Sequence, residues 1–219
     1  MAKEASRDRV LTDDEVRWFW AACEAEGFPW GPLGKLLLLT GQRLNEVAQI
    51  ADREVQGDVW RLSADRTKNG RAHDVALSEP ARDVLASVER IKDRDGVVRF
   101  VFTTTGTTPV SGFFKARAHL AGAMEQIAAK EQGEPVEIPR WTFHDLRRTA
   151  ATGMARLGIP VRVTEAVLNH VSGTGAGIVG VYQRHDYADE KRAALDAWAR
   201  FVAELVDGKA GNVVRLRGA

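Results

Sequence analysis

Apolar positions along the chain recur with two periods, one helical and one strand-like. Residues 142–157 carry the clearest pattern: Phe143, Leu146, Ala150, Met154 and Leu157 stand three or four apart and form one stripe of a helix. Thr142 occupies the N-cap place, Asp145 completes a capping-box-like pair three residues on, and Gly158 and Pro160 stop the segment. His144 and Arg147, also three apart, project beside the stripe from the first turn. Two readings are open: an exposed arginine with a capping histidine, or a phosphate site at a helix N-terminus, where free N–H groups and the dipole add positive potential.

The same patterning organises the rest. Thr12 and Glu15 mark a helix start, followed by the stripe Val16, Phe19, Trp20 and Cys23. Residues 31–39 read as a strongly apolar core helix, interrupted at Thr40-Gly41, and residues 43–50 as a third helix with Leu44, Val47 and Ile50 inward. Arg43 and Glu46 stand three apart on its other side, the spacing of a surface salt bridge. Residues 58–62 and 73–77 alternate as strands. Asn69-Gly70 between them is a strong turn signal, so Lys68 is expected at the tip of a β-hairpin. Helices follow at 80–91, 113–130 (Phe114, Ala118, Ala121 and Met124 toward the core), 161–168 and 187–205. Leu195, Trp198, Val202 and Leu205 form the buried face of the last one. Short strands are expected at 99–102 and 213–216, with a glycine-rich stretch at 173–180. The fold class is mainly α with a small antiparallel β-sheet, an α+β chain.

Composition narrows the function classes. The 219 residues, 44% hydrophobic, suffice for one sizeable core. With 31 basic and 30 acidic residues the net charge is only +1, so bulk charge does not announce a nucleic-acid binder. The distribution does more: residues 140–162 hold five arginines against Asp145, and residues 61–71 hold four basic groups against Asp65. Cys23, the single cysteine, excludes an intramolecular disulfide or a cysteine metal cluster and fits a reducing cytoplasm. The first residues lack the apolar core of a signal peptide, and the longest aliphatic run, residues 36–39, is far too short for a membrane span.

The polar residues at element ends and turns are Arg43, Lys68, His144, Arg147, His170 and Tyr182: two guanidiniums, an ammonium, two imidazoles and a phenol. With no carboxylate pair for a metal and no glycine-rich nucleotide loop, this set suits attack on a phosphodiester by a tyrosine, without metal or cofactor. A phenol has a pKa of about 10, and nearby fixed positive charge favours its reactive anion. Arginine suits phosphate through its planar, permanently charged fork. A metalloprotein using His144, His170 and His185 lacks carboxylates at ligand spacing.

Five segments, TGQRLNEV (40–47), TKNGRAHDVALS (67–78), HDLRRT (144–149), LNH (168–170) and VYQRHDY (181–187), stand in the order and context seen in the catalytic domain of tyrosine recombinases, the phage integrase family. The VYQRHDY ending resembles integrases of prophages and genomic islands. The resemblance implies site-specific recombination, the integration or excision of a mobile element, through a 3′-phosphotyrosine intermediate. A type IB topoisomerase and a non-cleaving DNA-binding module are the alternatives. It also implies roles. Arg43 and Arg147 clamp the scissile phosphate, His144 bonds a non-bridging oxygen, and His170 contacts the phosphate or supports the nucleophile. Lys68 protonates the leaving 5′-oxygen, Tyr182 attacks, and Glu46 supports Arg43.

Arg148, His73 and Arg184 are candidates for DNA contact, with His185 a backbone or structural contact. A solvated strand position is the alternative for His73, helix surface is expected for His119, and packing for Tyr187. Two features depart from the family pattern. Asn169 stands where glycine usually precedes the second histidine, and twelve residues separate His170 from Tyr182, glycine-rich enough to read as a tether. Residues 1–10 are expected to be a linker remnant, 11–206 the catalytic domain and 207–219 a tail, with the N-terminal core-binding domain of the family absent. The implied partners are double-stranded DNA attachment sites, further protomers (a tetramer on DNA, a monomer alone), and DNA-bending or excisionase proteins. The implied location is the bacterial cytoplasm, at the nucleoid. Lys68 and Tyr182, on glycine-flanked loops, are expected to be mobile without DNA.

Overall fold

A computed structural model describes residues 8–170 and 186–208. Helix α1 (Asp13–Glu26) begins at the expected capping box: Glu15 N–H donates to Thr12 Oγ1 at 3.2 Å, and Thr12 N–H to Glu15 Oε2 at 2.7 Å. Helix α2 (Trp30–Thr40) is the centre of the domain, with Leu33, Leu36, Leu37, Leu38 and Leu39 all inaccessible. A helix apolar on every side must be surrounded. Accordingly α2 packs against α1, α3 (Leu44–Ala48), α4 (Glu79–Ala86), α6 (Phe143–Arg156) and α8 (Ala188–Val206). The approach to α1 requires glycine, since a Cβ at Gly31 would lie 2.0 Å from the Cys23 carbonyl oxygen.

The sheet has three antiparallel strands in the order β1 (Val55–Gln56), β2 (Val59–Leu62), β3 (His73–Ala76). Leu62 pairs with His73, so ten residues lie between the ends of the paired strands. The Asn69-Gly70 turn is real, with Gly70 at φ +67° and its N–H on Thr67 O at 3.2 Å, but it belongs to a longer excursion that includes a 3-10 turn at Ala64–Arg66. Lys68 is therefore carried on a loop beyond the sheet, not on a two-residue hairpin.

Other expectations are corrected. Strand β1 was not foreseen. No strand forms at 99–102. Val101 and Phe102 are buried there through isolated bonds, Val101 N–H to Ile50 O and Val110 N–H to Phe102 O, rather than a ladder. Helix α4 ends at Ala86 rather than 91, and Arg90 turns back to donate to Leu85 O and Val88 O, satisfying carbonyls that the ended helix exposes. In α5 (Phe113–Gln132) the buried stripe is Ala116, Leu120, Met124 and Ala128, and Phe114 is 73% exposed.

Helix α6 follows expectation, with Phe143, Leu146, Ala150 and Met154 buried. Asp145 accepts from Thr142 N–H at 2.8 Å and Thr142 Oγ1 at 2.9 Å. Helix α7 (Val161–Val167) is short. Helix α8 packs on its own domain, against α1, α2, α6, α7 and β3. Trp198 anchors it by donating to Leu38 O at 2.8 Å, and Tyr187, at its start, is packed against the core as expected. The stretches 173–180, 181–185 and 213–216, with Tyr182, Arg184 and His185, lie outside the described residues. Among the described residues no helix is long and apolar enough to cross a membrane.

Candidate functional site

The C-terminus of α7 is the hub on which the site is built. Its backbone ends in a Schellman arrangement: Asn169 N–H donates to Ala166 O at 3.2 Å and His170 N–H to Glu165 O at 2.9 Å, with Asn169 in the left-handed region at φ +47°. The last carbonyls of α7 are used by side chains from three other parts of the chain. Val167 O accepts from Gln42 Nε2 at 2.9 Å and meets His73 Nε2 at 3.0 Å. Leu168 O accepts from Arg147 Nη2 at 2.5 Å. Arg147 also donates through Nη1 to Gly41 O at 2.9 Å. Thus α6, β3 and the α2–α3 turn are tied to one helix end.

Around this hub opens a pocket of about 480 Å³, lined by Arg43, Lys68, His144, Arg147, Arg148 and His170 among others. That is the size of a ligand site rather than a packing void. Arg43 precedes α3 and is oriented by buried Glu46, whose carboxylate accepts from Arg43 Nη1 at 2.9 Å and from Arg43 N–H at 3.1 Å. The pair is not the surface salt bridge that its spacing alone allows, since its acid is buried beside the pocket. Arg147 is buried too, rather than standing out from the helix. His144 and His170 are exposed at the rim. Arg148 donates to Asp145 at 2.9 Å and also reaches the pocket. Lys68 lines the same pocket.

The pocket is electrostatically incomplete. Burial, then the neighbouring Arg43, pulls the Arg147 guanidinium down to about 10. Partial loss of solvent, then Arg148 and Arg147, pulls the His144 imidazole below its usual range. Groups that disfavour one another's positive charge hold an anion well, because the anion reverses that penalty for all of them. Among the described residues no cluster of three or more His, Cys, Asp or Glu could hold a metal ion.

Residues 9–188 match the Phage integrase family. The chain belongs to that family. Prophage integrase IntA of Escherichia coli (strain K12) is 29% identical over 173 residues, which are 78% of this chain and 38% of that protein. The lambda integrase tetramer bound to a Holliday junction superposes with a TM-score of 0.57 at 20% identity, over 79% of this chain and 50% of that one. The Tn1549 transposon integrase in complex with circular intermediate DNA gives 0.55 at 18% identity, over 88% and 66%. The two structural likenesses establish the tyrosine recombinase catalytic-domain fold. This phage integrase family chain spans about two-fifths of the length of its curated relative.

Of the sequence-predicted residues, the fold brings Arg43, Lys68, His144, Arg147 and His170 to one pocket, with Glu46 beneath Arg43. Tyr182 and Arg184 lie outside the described residues. His73 is a correction. It is neither solvated nor placed to touch DNA; it is 6% exposed and held at Val167 O. Burial, then the nearby Lys191, lowers its imidazole to about 4, so it is neutral at physiological pH. The signal was available in the alternation His73, Val75, Leu77, which sets the histidine on the buried face of its strand. Gln42 was missed altogether, and Asn69 was read only as a turn residue. Nothing in local spacing announces a buried glutamine that reaches a carbonyl 125 residues away.

Proposed function

We propose that this chain is the catalytic domain, over residues 11–206, of a site-specific tyrosine recombinase that integrates or excises a mobile element. One observation carries the reading: three guanidiniums, two imidazoles and an ammonium from four separate segments line one open, cationic pocket. The ligand that such a set fits is a DNA phosphodiester.

Each residue has a part in the reaction. Arg43 and Arg147 hold the non-bridging oxygens, and their fixed orientation by Glu46 and by the Gly41 and Leu168 carbonyls means that they need not reorganise as charge grows. His144 donates to a non-bridging oxygen from the rim, and His170 supports the phosphate or the nucleophile beside it. The Tyr182 phenol gives its proton to His170 or to water as its oxygen bonds to phosphorus. The bond from phosphorus to the 5′-oxygen breaks, and Lys68 gives that oxygen a proton. The 3′-phosphotyrosine link conserves the phosphodiester energy, and a 5′-hydroxyl attacking phosphorus rejoins the strand by the reverse route. The partners are double-stranded attachment sites and further copies of the chain, in keeping with the tetramer on a Holliday junction that the lambda protein forms. The setting is the bacterial cytoplasm.

The test is incubation with a nicked suicide substrate that carries the element's core site. A denaturation-resistant protein–DNA adduct is expected. Specific binding without an adduct would make the domain a DNA-binding module instead.

A further inference from the structure

The loop that carries Lys68 is fastened to the end of α7 by a pair of facing amides. Asn69 Nδ2 donates to Asn169 Oδ1 at 3.0 Å and to Asn169 O at 2.8 Å. Asn169 Nδ2 in turn donates to Asn69 Oδ1 at 3.2 Å and to Arg71 O at 3.3 Å. Asn69 Oδ1 also accepts the Arg71 N–H at 3.2 Å, which closes the turn on itself. The bonds join residues one hundred positions apart, and both amides line the same pocket as Lys68.

The backbone explains why this needs a reason. Asn169 sits at the left-handed position of the Schellman turn, where glycine fits without strain and asparagine is the side chain best tolerated. Glycine would close α7 equally well. What it could not supply is the amide that reaches Asn69. The position immediately before His170 therefore serves two purposes: its backbone ends the helix, and its side chain holds the loop across the pocket.

We propose that the Asn69–Asn169 pair is a latch that keeps Lys68 docked over the pocket before DNA arrives, making Asn69 and Asn169 positioning residues for proton delivery to the leaving oxygen. The role in proton delivery rests on the proposed function; the docking does not. Lys68 itself is exposed and adjoins Asn69 directly, so the amide pair limits where its ammonium can reach. A loop fixed in this way sacrifices no ordering entropy when substrate binds.

The test uses Asn169→Gly, which keeps the helix end and removes the latch, and Asn69→Asp, which keeps the acceptor for Arg71 N–H but sets a carboxylate against two oxygens of Asn169. Hydrogen exchange of the DNA-free chain reads the docking. In Asn169→Gly the Gly70 and Arg71 amides should exchange at least about tenfold faster, while α2 and α6 stay unchanged. Adduct formation reads the chemistry. Both variants should cleave an ordinary substrate about tenfold to a hundredfold more slowly, a part of the roughly 10²–10⁴-fold that general acid catalysis supplies in full. Both should recover on a substrate whose leaving 5′-oxygen is replaced by sulfur, because a thiolate leaves without a proton. Lys68→Ala should show the same recovery. Unchanged exchange in Asn169→Gly overturns the latch, and so does an equal loss on oxygen and sulfur substrates. A wild-type chain that binds its site but forms no adduct removes the proposed function instead, and the exchange result then decides the latch alone.

Discussion

Arg43 and Arg147 enter the same pocket but are held in opposite ways: Arg43 by the carboxylate of Glu46 at 2.9 Å, Arg147 by the backbone carbonyls of Gly41 and Leu168. A carboxylate neutralises the group that it orients. A carbonyl orients without neutralising, so Arg147 keeps its full charge in a buried place and is disfavoured there until an anion comes. Arg147→Lys should therefore lose more than Arg43→Lys, since one ammonium cannot span two carbonyls and a phosphate. Arg147→Lys is expected to slow adduct formation by about 10²–10³ with less than tenfold loss of DNA affinity. Single-turnover cleavage beside a binding titration separates the two effects; equal losses in both would reduce Arg147 to an ordinary phosphate contact.

In the proposed reaction the nucleophile is a choice between two phenols. Tyr187 begins α8 and packs against the core, where its role is structural. Tyr182→Phe is expected to abolish the adduct with DNA binding nearly unchanged, and Tyr187→Phe to retain the adduct at reduced stability. Gel analysis of denatured reaction mixtures decides it, and the opposite result would reassign the nucleophile.

The junction of α6 and α8 depends on a missing methyl group. A Cβ at Gly153 would come within 2.0 Å of the Trp198 ring. In an open helix interior Gly→Ala gains about 1 kcal/mol. Here overpacking, typically about 1–3 kcal/mol, should reverse the sign. Gly153→Ala is expected to lower the melting temperature by several degrees, at roughly 2–4 °C per kcal/mol for a chain of this size. Calorimetry reads it, and a raised melting temperature would show that α8 moves aside freely.

His73 makes stability depend on pH in a stated direction. Its folded pKa of about 4 lies below the ordinary value of 6.5, so between those values the unfolded chain binds the proton and the folded one does not. Its contribution is complete above about pH 6.5 and is lost as pH falls toward 4, by about 3 kcal/mol at most at 1.36 kcal/mol per unit. Denaturant midpoints at pH 7.5 and 4.5 should fall farther for the wild type than for His73→Gln. Parallel losses would mean that His73 protonates without cost.

What the sequence revealed, and what it did not, divides by range. Capping residues announce themselves locally, so the starts of α1 and α6 were legible at Thr12 and Thr142. The stripe of α6 was legible because helical periodicity needs only its own neighbours. The pocket residues were legible through their resemblance to a family, not through spacing, since Lys68 and His170 share no periodicity with Arg43. The stripe of α5 was misread because aromatic Phe114 suggested burial, whereas the helix turns that position to solvent. The hub itself was invisible. Val167 and Leu168 act through carbonyl oxygens, which every residue has, and only the fold determines which ones Gln42, His73 and Arg147 find.

That hub also sets a timetable for a chain being made. Arg147 is oriented by Gly41, 106 residues behind it, and by Leu168, 21 residues ahead. A growing polypeptide that has just exposed Arg147 already carries Arg43, Lys68, His144 and the Gly41 carbonyl, yet lacks the Val167 and Leu168 carbonyls against which the pocket is assembled. Such long-range closure comes late and all at once. The cationic centre is thus absent through most of synthesis and arises only when the end of α7 docks. A nascent chain held close to nucleic acid carries the charges of the pocket without its geometry.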